Sequence, residues 1–208
     1  MGNRAAIVTE KRDLALYLHW NGGRDSVEAF LEYCALRGFR SPESDEYGWA
    51  RLAQVVCNFF GADGLSCGIY EYAKDREPQW DNGDYIIRDW KIVDRRYPYE
   101  GFTEQASYDL TDMLYTIDRA QPASQQLGAY LEAEVIPTHQ VHIGDMAYLD
   151  VVGGVPKPFA VVGFAQCPGH FGNDTMMPYV ERYGDEGCYE KNSNNFLRAK
   201  TVRIIPRR

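Results

Sequence analysis

The sequence predicts an α+β protein in which an N-terminal antiparallel sheet with packed helices is followed by a small C-terminal β-barrel of the SH3-like kind. Three observations carry that expectation. Residues 14–38 read strand, glycine turn, helix. Two further apolar stripes of helical period follow before residue 121. Beyond Ile136-Pro137 the chain breaks into short apolar segments punctuated by glycine and proline, the spacing of a small barrel. The expected division is therefore an α+β domain over 1–135 and a small barrel over 136–208.

Ala5 to Val8 reads as a short strand, and Leu14 to Trp20 pairs with it as a hairpin. In the second strand Leu14, Leu16, Leu18 and Trp20 share one face, with Ala15, Tyr17 and His19 on the other. Both faces are apolar enough for a central strand. Asn21-Gly22-Gly23 ends it, because a tight reversal often needs the positive φ that glycine tolerates. Asp25-Ser-Val-Glu28 fits a capping box with Asp25 at the helix N-terminus. Val27, Phe30, Leu31 and Cys34 form the buried stripe, and Gly38 closes the helix.

A second helix follows Pro42, capped by Ser44 or Asp45, with Trp49, Leu52, Ala53, Val56, Phe59 and Phe60 inward and Gly61 at its end. Leu65 to Tyr72 is the next strand. Asp81-Asn82-Gly83 is a strong turn signal, leading into a hairpin of Tyr85 to Ile87 and Trp90 to Val93. A third helix is expected over Ser107 to Ala120, buried through Leu110, Met113, Leu114 and Ile117. Gln121-Pro122 stops it, and Ser124 to Glu134 reads as a short fourth helix or an ordered loop. Later strands fall at Val141 to Leu149, Phe159 to Phe164 and Thr201 to Ile205, with a hairpin turn at Gly153-Gly154. Pro168 to Asn195 reads as a long polar loop.

The opening Met1-Gly-Asn-Arg-Ala-Ala-Ile7, with Tyr17-Leu-His-Trp-Asn-Gly-Gly23, resembles a group of small, mostly uncharacterised phage and prophage proteins. Those begin with a similar GNRA strand and carry an HWNGG or HWDGY turn before a helix. The resemblance covers the first forty residues well and the rest loosely. It implies a mobile-element origin and transfers no active-site residue.

The 208 residues carry a net charge of −8, unevenly placed. Residues 99–150 hold one basic side chain, Arg119, against nine acids, so that segment alone accounts for −8. Residues 1–98 sum to −3 and residues 151–208 to +3. No apolar run approaches the ~20 residues of a membrane span. Five scattered cysteines suit a reducing compartment rather than a disulfide framework, and the expected location is cytoplasmic.

Carboxylates three or four residues apart on a helix stand about 6 Å from one another. That is comparable to the spacing of phosphates along one DNA strand. Asp109, Asp112, Asp118, Glu132 and Glu134, with Tyr108, Tyr115 and Tyr130 beside them, are therefore the candidate partner-binding residues. The expected partner is a host protein with a basic surface. The expected function is a non-enzymatic phage-associated binding protein that inhibits a nucleic-acid-targeting defence, of the anti-CRISPR or anti-restriction kind. The competing account of the same acids is a solvated face that aids solubility. Direct nucleic-acid binding is not expected from a chain of this charge.

The alternative function is binding of a nucleotide or phosphate at the turn, through His19, Trp20, Asn21, Gly22, Gly23 and Arg24, where backbone N–H groups and a helix dipole converge. No complete glycine-loop fingerprint accompanies it. A thiolate pair of Cys34 and His19 is disfavoured because Cys34 lies on an apolar stripe. Cys167-Pro-Gly-His170 has zinc-compatible spacing, with His139, His142 and Cys188 also late in the chain, but no second close cysteine pair supports a zinc site. No cofactor, metal or catalytic residue is expected.

Overall fold

The structure, a computed structural model, describes residues 2–11, 13–61, 66–73, 75, 77–101, 107–149, 155–166, 176–180 and 196–207. The chain divides into two compact units, the first running to Gln126 and the second beginning at Leu127.

The first unit is α+β, built on a mixed five-stranded sheet. Strands β1 (Ala5–Thr9) and β2 (Leu14–Leu18) pair antiparallel, with Ile7 opposite Leu16. Strand β3 (Cys67–Glu71) lies antiparallel on the far side of β2. Strand β4 (Asp84–Arg88) runs parallel to β1, and β5 (Lys91–Arg96) pairs antiparallel with β4. The order is β3-β2-β1-β4-β5. This corrects the expected purely antiparallel sheet. The intervening helices and β3 return the chain to the open edge of β1, and a crossover of that length permits parallel pairing where a tight hairpin does not.

Alternation sorts the strand residues onto two faces. Ala5, Ile7, Leu16, Leu18, Tyr85 and Ile87 share one face, and all are buried. Ala6, Val8, Ala15 and Ile86 share the other, packed with Tyr72 and bordered by Tyr70 and Trp80. Burial on both sides explains the nearly continuous apolar run in β1 and β4. Asp89 and Trp90 join β4 to β5 with φ of 46° and 62°. That pair of positive values is the turn whose twist matches the strands it joins. Trp90 was expected to begin a strand; it sits in the turn because its buried indole donates Nε1–H to the Phe39 carbonyl at 2.8 Å.

Three α-helices accompany this sheet among the described residues. Helix α1 (Arg24–Leu36) packs on both α2 (Glu46–Phe60) and α3 (Thr111–Ala120). Gly38, at φ 63°, turns the chain out of α1, and its N–H donates to the Ala35 carbonyl at 2.9 Å. Asp45 caps α2, accepting from the Gly48 N–H at 3.2 Å. Helix α3 starts four residues later than expected, where the Asp109 carboxylate accepts from the Thr111 N–H at 2.9 Å. Such local side-chain bonds compete with helical pairing and hold Asp109 outside the helix. The segment expected to be a short fourth helix or an ordered loop contains two 3-10 turns, Ala123–Gln125 and Gly128–Glu132.

The second unit is an antiparallel sheet of five strands. They are β6 (Glu134–Pro137), β7 (Met146–Tyr148), β8 (Pro158–Gln166), β9 (Met176–Val180) and β10 (Thr201–Ile204), ordered β6-β10-β7-β8-β9. Ile136, Val141, Ala147, Val161, Val180, Leu197, Val202 and Ile204 form its core. No closed SH3-like barrel is present among the described residues, which corrects that expectation. Prolines occupy both outer strands: Pro137 ends β6 and Pro178 lies within β9. Pro178 accepts from the Leu197 N–H at 3.0 Å, and Phe196 bridges to Tyr179. The expected turn at Gly153-Gly154 and most of the loop expected over 168–195 lie outside the described residues, and the described part of that loop, 176–180, is instead strand β9, paired antiparallel with β8.

Candidate functional site

The turn between β2 and α1 is built from the inside. Asn21 adopts φ 53°. The Gly22 N–H donates to the Asn3 carbonyl at 2.8 Å, and the Gly22 carbonyl accepts from Tyr85 Oη at 3.0 Å. A Cβ on Gly22 would stand 2.7 Å from the Asn3 oxygen and 2.8 Å from both the nitrogen and Cβ of Ala5. Glycine is therefore required here by the close approach of β1, not by φ.

The capping box is replaced. Gly23 is the N-cap residue of α1, without a side-chain cap, and Asp25 lies within the first helical turn. Glu28 bonds Arg24 at 2.6 Å across one turn of helix instead of reaching back to the backbone.

These contacts bear on the ligand-binding alternative. The Gly22 N–H, the Arg24 guanidinium and His19 are all engaged within the protein. Tyr17 Oη and His19 Nδ1 are 2.8 Å apart, and the His19 N–H donates to the Ser66 carbonyl at 2.8 Å. Trp20 stacks edge-on against His19, with ring centroids 4.9 Å apart, and remains 44% exposed.

Beside the turn lies a cluster that the residue pattern did not reveal. The Tyr17 and Trp80 rings are 4.6 Å apart, and the Arg4 guanidinium stands 5.8 Å from the Trp80 centroid. Arg4 also holds Asp81 through a two-pronged ion pair at 3.0 and 2.9 Å. Asp84, buried in β4, accepts from Tyr72 Oη at 2.7 Å, and Arg96 donates to the same hydroxyl at 2.8 Å. Burial first, then Asp84, pushes the Tyr72 hydroxyl up to about 12. The Asp81-Asn82-Gly83 turn was visible as a turn. That it locks onto the GNRA segment follows only from the parallel β1–β4 pairing.

The acidic candidates separate into different environments. Asp109 and Asp112 are exposed at the start of α3, with Tyr108 and Tyr115 half-buried beside them in sequence. Asp118 is buried and accepts from Tyr33 Oη at 3.2 Å, so it leaves the exposed row. Glu132, Glu134 and Tyr130 belong to the second unit. Both acids are exposed, while the half-buried Tyr130 ring lies 4.8 Å from Tyr148 and 5.2 Å from the Arg203 guanidinium.

Gln121 was read only as a helix stop. It is buried, donating to the Val55 and Ile117 carbonyls at 3.2 and 3.1 Å and accepting from Asn58 at 2.9 Å. It ties α2 to the end of α3.

Cys34 is fully buried, and desolvation raises its thiol pKa far above the usual range, so it offers no reactive thiolate for His19. His139 and His142 are exposed, while Cys167, His170 and Cys188 lie outside the described residues. Among the described residues no group of three or more His, Cys, Asp or Glu side chains is placed to hold an ion. No described helix is long and apolar enough to cross a membrane.

No family model, curated protein or solved structure matches this chain.

Proposed function

We propose that this chain is a non-enzymatic, phage-associated protein that binds a basic surface on a host protein and thereby inhibits a nucleic-acid-targeting defence of the anti-CRISPR or anti-restriction kind. The observation that carries the reading is the exposed pair Asp109 and Asp112 at the start of α3, inside the segment that holds the chain's excess negative charge. Tyr108 and Tyr115 supply aromatic contact area next to that charge, a combination suited to protein interfaces. In the second unit, taken by itself, Glu132 and Glu134 are exposed carboxylates. Asp118 has a packing role and is not a contact residue in this reading.

The resemblance of the GNRA strand and HWNGG turn to phage proteins supports the biological setting. A carboxylate surface facing a basic groove speeds encounter and selects partners more than it adds affinity. The partner captured from a host lysate should lose its nucleic acid as this chain is titrated in. Simultaneous binding of nucleic acid and this chain to that partner would refute inhibition by competition.

The alternative, a nucleotide or phosphate sponge at Trp20–Ser26, draws support from the exposed Trp20 indole. Its polar groups are largely committed to the fold, which favours the protein-binding reading. A thermal shift produced by cyclic or linear nucleotides would reverse that preference.

A further inference from the structure

Cys57 lies in the last turn of α2, and Cys67 is the first residue of β3, the outer strand of the first sheet. Both side chains are half-buried, and their sulfurs stand 3.1 Å apart. A disulfide bond is about 2.05 Å long, so closing it asks each sulfur to move by about half an ångström. Cys67 is opposite Leu18 in the β2–β3 register, which places it on the sheet face that α2 approaches. The two thiols are thus brought together from different elements by packing, across ten residues of chain.

We infer that Cys57 and Cys67 form a reversible thiol-modification site that closes to an intramolecular disulfide on reaction with a low-molecular-weight disulfide. In the first step one protein thiolate attacks that reagent, RS–SR, giving a protein–SR mixed disulfide and releasing RS⁻. The second protein thiolate then attacks the protein sulfur of the mixed disulfide and expels the second RS⁻. The protein loses two electrons and two protons, and RS–SR becomes two RSH. Burial, then the neighbouring Cys57 sulfur, raises the Cys67 thiol pKa. Cys34, fully buried in α1, is shielded from the reagent.

The product pins the outer strand to the end of α2. Cross-linking restricts the unfolded chain, so the closed form resists thermal unfolding more than the open form. This site is separate from the acidic contact surface, and its failure would leave the proposed function untouched.

The test uses the full chain treated with oxidised glutathione, then alkylated and mapped by mass spectrometry. The expected result is a linked Cys57–Cys67 peptide, loss of alkylation at both positions and a raised unfolding midpoint that dithiothreitol reverses. Cys57→Ser and Cys67→Ser should each retain the mixed disulfide with glutathione on the remaining cysteine and form no link, with circular dichroism confirming their fold. Stable glutathione adducts on wild-type Cys57 or Cys67 without a link between them would overturn the inference, as would links from either cysteine mainly to other positions.

Discussion

Tyr33 Oη donates to the Asp118 carboxylate at 3.2 Å, joining α1 to α3 across 85 residues of chain. The same hydroxyl stands 3.0 Å from the Gln125 carbonyl. A carboxylate that appeared to belong to an acidic surface is thereby part of the interior. Tyr33→Phe removes the donor and leaves Asp118 less well satisfied. The expected cost is ~1–3 kcal/mol, the range for a buried group deprived of a partner, measured by urea unfolding. No change in partner capture is expected.

Gly22→Ala tests the close approach of β1 to the turn. The added methyl would lie within 2.8 Å of Ala5 and nearer still to the Asn3 carbonyl, and backbone must shift to admit it. A loss of ~1–3 kcal/mol is expected from such overpacking, measured by denaturant unfolding. A variant as stable as the wild type would show that the GNRA strand and the turn are not in contact.

Strand order and helix packing illustrate what was legible beforehand. The apolar stripes of α1 and α2, the stop at Gly38 and the cap at Asp45 follow from local rules, and each is present. The parallel β1–β4 pairing was not legible, because it joins segments separated by two helices and no local residue pattern encodes the partner. Asp118 misled for a similar reason. Its burial depends on Tyr33 of a helix far away in sequence, which no local pattern encodes. Asp109, read as part of the helix, stands just before it, and both it and Asp112 are exposed.

Alkaline pH should loosen the first unit through Tyr72. Its hydroxyl is neutral in the folded state, pushed up to about 12 from an ordinary value of 10.0 by burial and by Asp84. A raised folded-state value means the contribution is complete below about pH 10 and is lost as pH rises towards 12. Tryptophan fluorescence during denaturant unfolding should show stability falling over that window. Tyr72→Phe should flatten this part of the profile while lowering stability at neutral pH.

Acid acts on the second unit through Asp145. Its carboxylate receives the Arg207 guanidinium at 2.9 and 2.7 Å and the His142 N–H at 2.7 Å. The Arg207 bond, foremost among these, holds Asp145 below the ordinary carboxylate range. A lowered folded-state value means the contribution is present above the unfolded value, about 3.9, and is lost as pH falls through the folded one. Protection factors of the β7 and β10 amides, corrected for the intrinsic exchange rate at each pH, should fall in acid. Arg207→Gln should reduce that acid dependence.

The most direct test compares capture from a host lysate by the wild-type chain and by Asp109→Lys/Asp112→Lys, quantified by mass spectrometry after circular dichroism shows both folded. One protein with a basic surface should be retained by the wild type and depleted at least about tenfold with the variant, the effect of ~1.4 kcal/mol of binding free energy. Equal retention of the same proteins by both chains would contradict an acidic contact surface at the start of α3.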